Sequence, residues 1–205
     1  MRVLLDSKGR TLLCGIIKEI SDGKGKAAGR CINVRIENKE WNSDAGAEVY
    51  NLYEVTFWDS EKLKLKSRFE KAKFEVGSFI SVLFYKNDGE EYKGNVVDFK
   101  KTGLWEVNEK TNVLVGICIR TNVFGEGEQR TTVATIPYNA WSNGESKDIF
   151  VGVRFNDKYK KNQERALKLL SPEGKKYKKC IVECGAITQN EKGFYSAYGN
   201  NFELI

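Results

Sequence analysis

The chain has 205 residues, enough for two domains of about 100 each, and its 40% hydrophobic and 12% aromatic content excludes a wholly disordered polymer. No apolar run approaches the roughly 20 residues a membrane helix needs, and a charge already at Asp6 interrupts any export signal, so a cytoplasmic protein with no membrane partner is expected. With no histidine, a zinc site and a Ser-His triad are excluded, while 34 Lys and Arg against 28 Asp and Glu give a net charge of +6, which matters for a polyanion only where the cations gather on one surface.

Leu12 to Ile20 reads as a strand with a bend at Gly15, followed by the basic loop Ser21 to Lys26. Cys31 to Glu37 alternates apolar and polar residues, the period of a half-buried strand, with Trp41 beyond its end. Val49 to Trp58 is a third strand, rich in β-branched and aromatic residues. From Ser60 to Lys73 the period lengthens and a helix is expected, with Asp59 or Ser60 as its cap. After Gly77, Phe79 to Tyr85 and a strand ending near Phe99 form a hairpin on the turn Asn87-Asp88-Gly89. The second half repeats this plan. Strands are expected near 113–121, 130–138, 148–156, 179–188 and 194–204, with a helix over 158–170 closed by Pro172 and Gly174. A short junction is expected at about 105–112.

Landmarks recur in order and at matched spacing. Gly15 precedes Trp41 by 26 positions and Gly116 precedes Trp141 by 25; Asp59 follows Trp41 by 18 and Asp157 follows Trp141 by 16. Three strands, a helix and two strands, with an early glycine bend, is the order of an OB barrel. The expected fold is therefore all-β: two tandem OB barrels of five strands each, 1–108 and 109–205, with the helix between the third and fourth strands. Fold alone does not name a ligand, because such barrels carry nucleic acids, sugars and proteins.

Side chains alternate along residues 53–59, so Tyr53, Val55 and Phe57 face the core while Glu54, Thr56 and Trp58 face out. An outward Trp58 beside Arg35, Lys39 and Lys62 offers a base-stacking surface with cations at its rim. Trp41 and its counterpart Trp141, each at a strand end beside a loop, are further platforms, and Tyr85 and Tyr92 add rings on the hairpin. Lys62 and Lys64, Lys158, Lys160 and Lys161, and Lys175 to Lys179 are candidate phosphate contacts or solvated surface. Asp59 and Asp157 read as helix caps. The five cysteines form no CxxC pair and read as small core residues. No P-loop or paired-carboxylate motif is present, so neither an enzyme nor a cofactor is expected.

The run Tyr53 to Leu63, leading into a helix, Val76-Gly77-Ser78 and a hairpin strand, resembles the bacterial and phage single-stranded-DNA-binding protein family. That resemblance implies base stacking on Trp41, Trp58 and Tyr85, with Trp141 the second-copy counterpart. The second copy departs from the pattern: Asn156 stands where Trp58 stands, and Cys184 to Thr188 hold no ring, so its binding face is expected to be depleted. Recruitment of partners through an acidic tail is not expected from Asn201-Phe202-Glu203-Leu204-Ile205. The expected function is non-enzymatic single-stranded DNA binding in replication, recombination or mobile-element metabolism. A homodimer would supply four barrels. A protein-interaction module of a replication or conjugation complex, and an RNA-binding OB protein, are the rival readings.

Overall fold

The computed structural model describes residues 3–42, 44–126, 129–142, 145–156, 162–174 and 176–205, with the backbone alone for Trp41, Trp141, Ser142, Glu145 and Ser146. The chain is mostly β and divides into two units, Met1–Lys101 and Thr102–Ile205. No described helix is long and apolar enough to cross a membrane.

The first unit runs β1 (Leu4–Leu5), β2 (Thr11–Asp22), β3 (Cys31–Asn42), β4 (Ala47–Trp58), α1 (Leu65–Lys71), β5 (Phe79–Asn87) and β6 (Glu90–Lys100). The sheet order β1-β2-β3-β4-β6-β5 returns to its start because β5 also pairs with β2, which closes a five-stranded barrel with the OB connectivity. Closure needs one strand to serve two neighbours. The first half of β2 pairs with β5, from Thr11 opposite Phe84 to Ile16 opposite Phe79, and its second half pairs with β3, from Ile16 opposite Glu37 to Asp22 opposite Ile32. Gly15 sits at the handover, and a Cβ there would be driven into the Glu37 carbonyl oxygen. Only glycine lets the two backbones cross so closely. The buried Asn38 amide then donates to the Cys14 carbonyl (2.8 Å), tying β3 to the bend.

Alternation fills the barrel. Ile32, Val34 and Ile36, then Tyr53, Val55 and Phe57, then Ile80, Val82 and Phe84 all point into one core, as the period-2 pattern requires. α1 plugs one end with Leu65 and Phe69, whose ring lies 4.8 Å from that of Phe57 and 5.0 Å from that of Phe74. The helix is shorter than the expected 60–73. A turn leads to Lys64, which has φ of 43°, and helical geometry starts only at Leu65. Asp59 nevertheless caps it from upstream, its carboxylate accepting from the Ser67 amide (3.0 Å) and the Ser67 hydroxyl (2.6 Å).

Those two bonds from Ser67 hold the Asp59 carboxyl below its ordinary range. A carboxyl depressed on folding adds stability above its unfolded value of about 3.9, and that stability is lost as the pH falls through the folded value. Urea unfolding at pH 7 and pH 3 should therefore show a larger acid loss in the parent than in Asp59→Asn. Equal losses would remove the carboxylate from the account.

The second unit runs β7 (Gly103–Asn108), β8 (Thr111–Cys118), β9 (Arg120–Phe124), β10 (Thr131–Ser142), β11 (Glu145–Asn156), α2 (Asn162–Leu170), β12 (Lys178–Cys184), β13 (Thr188–Gln189) and β14 (Tyr195–Leu204). Residues 105–112, read from sequence as a junction, form a hairpin instead. β7 pairs with β8, Leu104 opposite Leu114, and so lies in the second unit. The order β7-β8-β12-β14-β11-β10-β9 keeps the OB connectivity, with β11 and β14 parallel as β4 and β6 are. The sheet is not closed by pairing, which differs from the expected second closed barrel. The strand that should close it breaks between Cys118 and Arg120, so β8 serves β12 while β9 serves β10, and the Ile119 amide bridges to Thr135 (3.0 Å). Gly116 marks the same crossing as Gly15: a Cβ there would meet Ile136 and the Pro137 carbonyl.

The second core is built of smaller side chains, among them Ala134, Ala166 and Ala197, with a buried ring pair, Phe155 and Phe202, at 5.4 Å. All five cysteines are buried and free. Burial pushes the Cys118 thiol up to about 11 and those of Cys180 and Cys184 to about 12, so these three are protonated core groups at neutral pH. Asp157 and Lys158 to Lys161 fall outside the described residues, so the expected cap and lysine cluster before α2 do too; Lys175 also falls outside them.

Candidate nucleic-acid interface

On the first unit, alternation turns Tyr50, Leu52, Glu54, Thr56 and Trp58 of β4 outward, opposite Lys39, Glu37, Arg35, Asn33 and Cys31 of β3. Trp58 is 37% exposed, Tyr85 48% and Tyr92 40%. The Trp58 indole donates to the Asn95 side chain (2.9 Å), and Asn95 stands opposite Tyr85 on the neighbouring strand, so two rings flank one amide. Asn95 donates in turn to Asn87 (2.9 Å) and Asn87 to Glu90 (2.8 Å), which fixes the indole through the hairpin. Tyr92 rests edge-on against the buried Tyr53 ring, centroids 5.2 Å apart, so part of its surface is spent on packing.

The cations of this face are held by carboxylates. Arg35 donates to both Glu54 (3.2 Å) and Glu19 (3.0 Å), Lys39 pairs with Glu48 (2.6 Å), Lys18 with Glu37 (2.8 Å) and Lys93 with Glu90 (2.9 Å). A 300 Å³ hollow beside Arg35 takes three carboxylates, Glu19, Asp22 and Glu54, against two cations, Lys24 and Arg35. A phosphate would have to displace carboxylates to reach Arg35 or Lys39. Lys62 and Lys64 are exposed on the turn between Trp58 and α1. Trp41 lies in β3 opposite Glu48 and Trp141 in β10 opposite Ser146, but their side chains are outside the described residues.

The second unit carries a feature that sequence reasoning missed: an open cleft of about 800 Å³ across β9, β10, β11 and β14. Phe124, Phe150, Phe194 and Tyr198 line it with 57%, 53%, 67% and 60% of their surface exposed. Asn190 sets Phe194 in place, its side-chain oxygen accepting from the Phe194 amide (2.9 Å) in the turn before β14. Arg154 stands between Val133 and Tyr198 on adjacent strands. No carboxylate lines the cleft among the described residues, and none of them pairs with Arg154.

Register explains why one face is filled and the other hollow. In the first unit a rung of the sheet runs Glu19, Arg35, Glu54, Lys93, four charged side chains of which Arg35 bridges Glu19 and Glu54. The matching rung of the second runs Arg120, Thr135, Gly152, Ser196, whose last three are small and leave a floor below the rings. Rings have also moved. Counting back from the strand end, Phe150 occupies the place of Leu52, and Tyr198, opposite Arg154, occupies that of Asn95, opposite Thr56. This face lacks rings at the positions of Trp58 and Tyr85 and holds them at neighbouring ones. The available signal was the alternation of Phe150 against Val151, Val153 and Phe155.

No protein-family model and no curated protein sequence matches the chain. Among solved structures it is similar to the wild-type single-stranded DNA binding protein from Thermus aquaticus, with a TM-score of 0.33 and 13% identity over 96% of this chain and 92% of that one. A deletion mutant of the same Thermus aquaticus protein gives a TM-score of 0.32 and 12% identity over 96% and 93%.

Proposed function

We propose that the protein binds single-stranded DNA and that it does so by stacking bases on exposed rings of its two OB sheets. The observation that carries this reading is the second-unit cleft: among the described residues, four half-exposed rings around a floor of small residues, one guanidinium and no lining carboxylate. Unpaired bases present flat apolar faces on both sides, and each base–ring stack contributes about 1–3 kcal/mol. A duplex hides those faces. Trp58 and Tyr85 offer a separate stacking surface on the first unit.

Anisotropy of a labelled oligo-dT, read beside quenching of the tryptophans, is the direct test. Binding at a dissociation constant on the order of 1 μM or tighter, weakened by salt and not competed by duplex, is expected. No saturation by about 100 μM protein would sink the reading. Equal-length ribo- and deoxyribo-oligomers in competition separate DNA from RNA, because RNA adds a 2′-hydroxyl that a polar rim can read.

A further inference from the structure

The two outward faces differ in their charge, and the difference has a functional consequence that rests on the single-stranded DNA reading. In the first unit, Arg35 is held by two carboxylates at 3.2 and 3.0 Å. In the second, Arg154 is exposed at the middle of the cleft, beside Tyr198, with no carboxylate partner among the described residues. A guanidinium presents donors in a planar fork that fits a phosphodiester oxygen pair, and its flat face tolerates stacking beside a ring.

We infer that the second unit is the principal binding site and that Arg154 is its phosphate ligand, gripping one phosphodiester between bases stacked on Phe150 and Tyr198. The bound class is a short single-stranded segment, held mainly by stacking with this one ion contact. The first unit engages a strand only where its ion pairs already leave rings open, at Trp58 and Tyr85. Neutralising a phosphate at Arg154 releases counterions. At Arg35 a phosphate would have to compete with Glu19 and Glu54, so none is neutralised there.

The salt dependence of binding separates these cases. Each phosphate neutralised on a single strand contributes about 0.7 to the slope of log affinity against log salt. The experiment titrates oligo-dT between low and moderate sodium chloride against the parent, Arg154→Ala, Arg154→Lys and Arg35→Ala. Arg154→Ala is expected to flatten the slope by about 0.7 and to weaken binding by about tenfold or more at low salt. Arg154→Lys keeps the slope and loses part of the affinity, because an ammonium keeps the charge without the fork. Arg35→Ala keeps the parental slope. An unchanged slope in Arg154→Ala, or a flattened one in Arg35→Ala, overturns the inference while leaving single-stranded DNA binding standing. A parent that does not bind oligo-dT at all removes the underlying reading instead. Melting curves are the control for folding, and exposure of both side chains leads one to expect parental transitions.

Discussion

Alanine at both Phe124 and Phe150 is expected to lower the affinity for oligo-dT by at least about thirtyfold, two stacks at roughly 1–3 kcal/mol each. The two rings come from different strands, β9 and β11, and line the same cleft. Neither belongs to the core: they are 57% and 53% exposed, so their removal leaves the melting transition within about 0.5 kcal/mol of the parent. That separation makes the experiment informative, since lost binding cannot be charged to unfolding. The matching pair on the first unit, Trp58→Ala with Tyr85→Ala, costs less, because its face lacks a free guanidinium to hold the strand over the rings. A double phenylalanine variant that binds within twofold of the parent removes the cleft from the mechanism.

Phe57→Ala destabilises the first unit by about 3–5 kcal/mol. The side chain is fully buried, and its ring meets those of Phe69 at 4.8 Å and Phe99 at 5.3 Å. It is also where the helix plug meets the barrel wall, so the void opens at a junction of elements that cannot both move in to fill it. Against a typical domain stability of about 5–15 kcal/mol, a loss of that size leaves the unit marginal. Trp58, one residue away on the outer face of the same strand, is a local reporter. Urea unfolding followed by tryptophan fluorescence, to which Trp58 contributes, should show a transition at distinctly lower denaturant, and a shift worth less than about 1 kcal/mol would mean the plug repacks.

Much of the first unit was legible because its strands obey a period of two with few interruptions. Tyr53, Val55 and Phe57 point inward and Trp58 outward for the same covalent reason. The hairpin at Asp88-Gly89 followed from Gly89, whose φ of 73° suits glycine, and the bend at Gly15 from the steric freedom a missing Cβ provides. The ion pairing of Arg35 and Lys39 could not be read from local sequence. Glu54 and Glu19 are 19 and 16 positions from Arg35, and only strand pairing brings them within hydrogen-bonding distance.

The second unit shows the same division from the other side. Searching for rings at the positions of Trp58 and Tyr85 found none, since a motif comparison weighs residues one position at a time. Exposed aromatic surface, however, belongs to a whole sheet face, and register assembles it from β9, β11 and β14 at once. The order of elements, the inward and outward sets of each strand and the glycine crossings are consequences of backbone sterics and side-chain period, which act over a few residues and can be read along the chain. Whether a cation is free or neutralised, and whether a rung is packed with charged side chains or hollowed by Thr135, Gly152 and Ser196, depends on residues far apart in the chain that meet only when the sheets form.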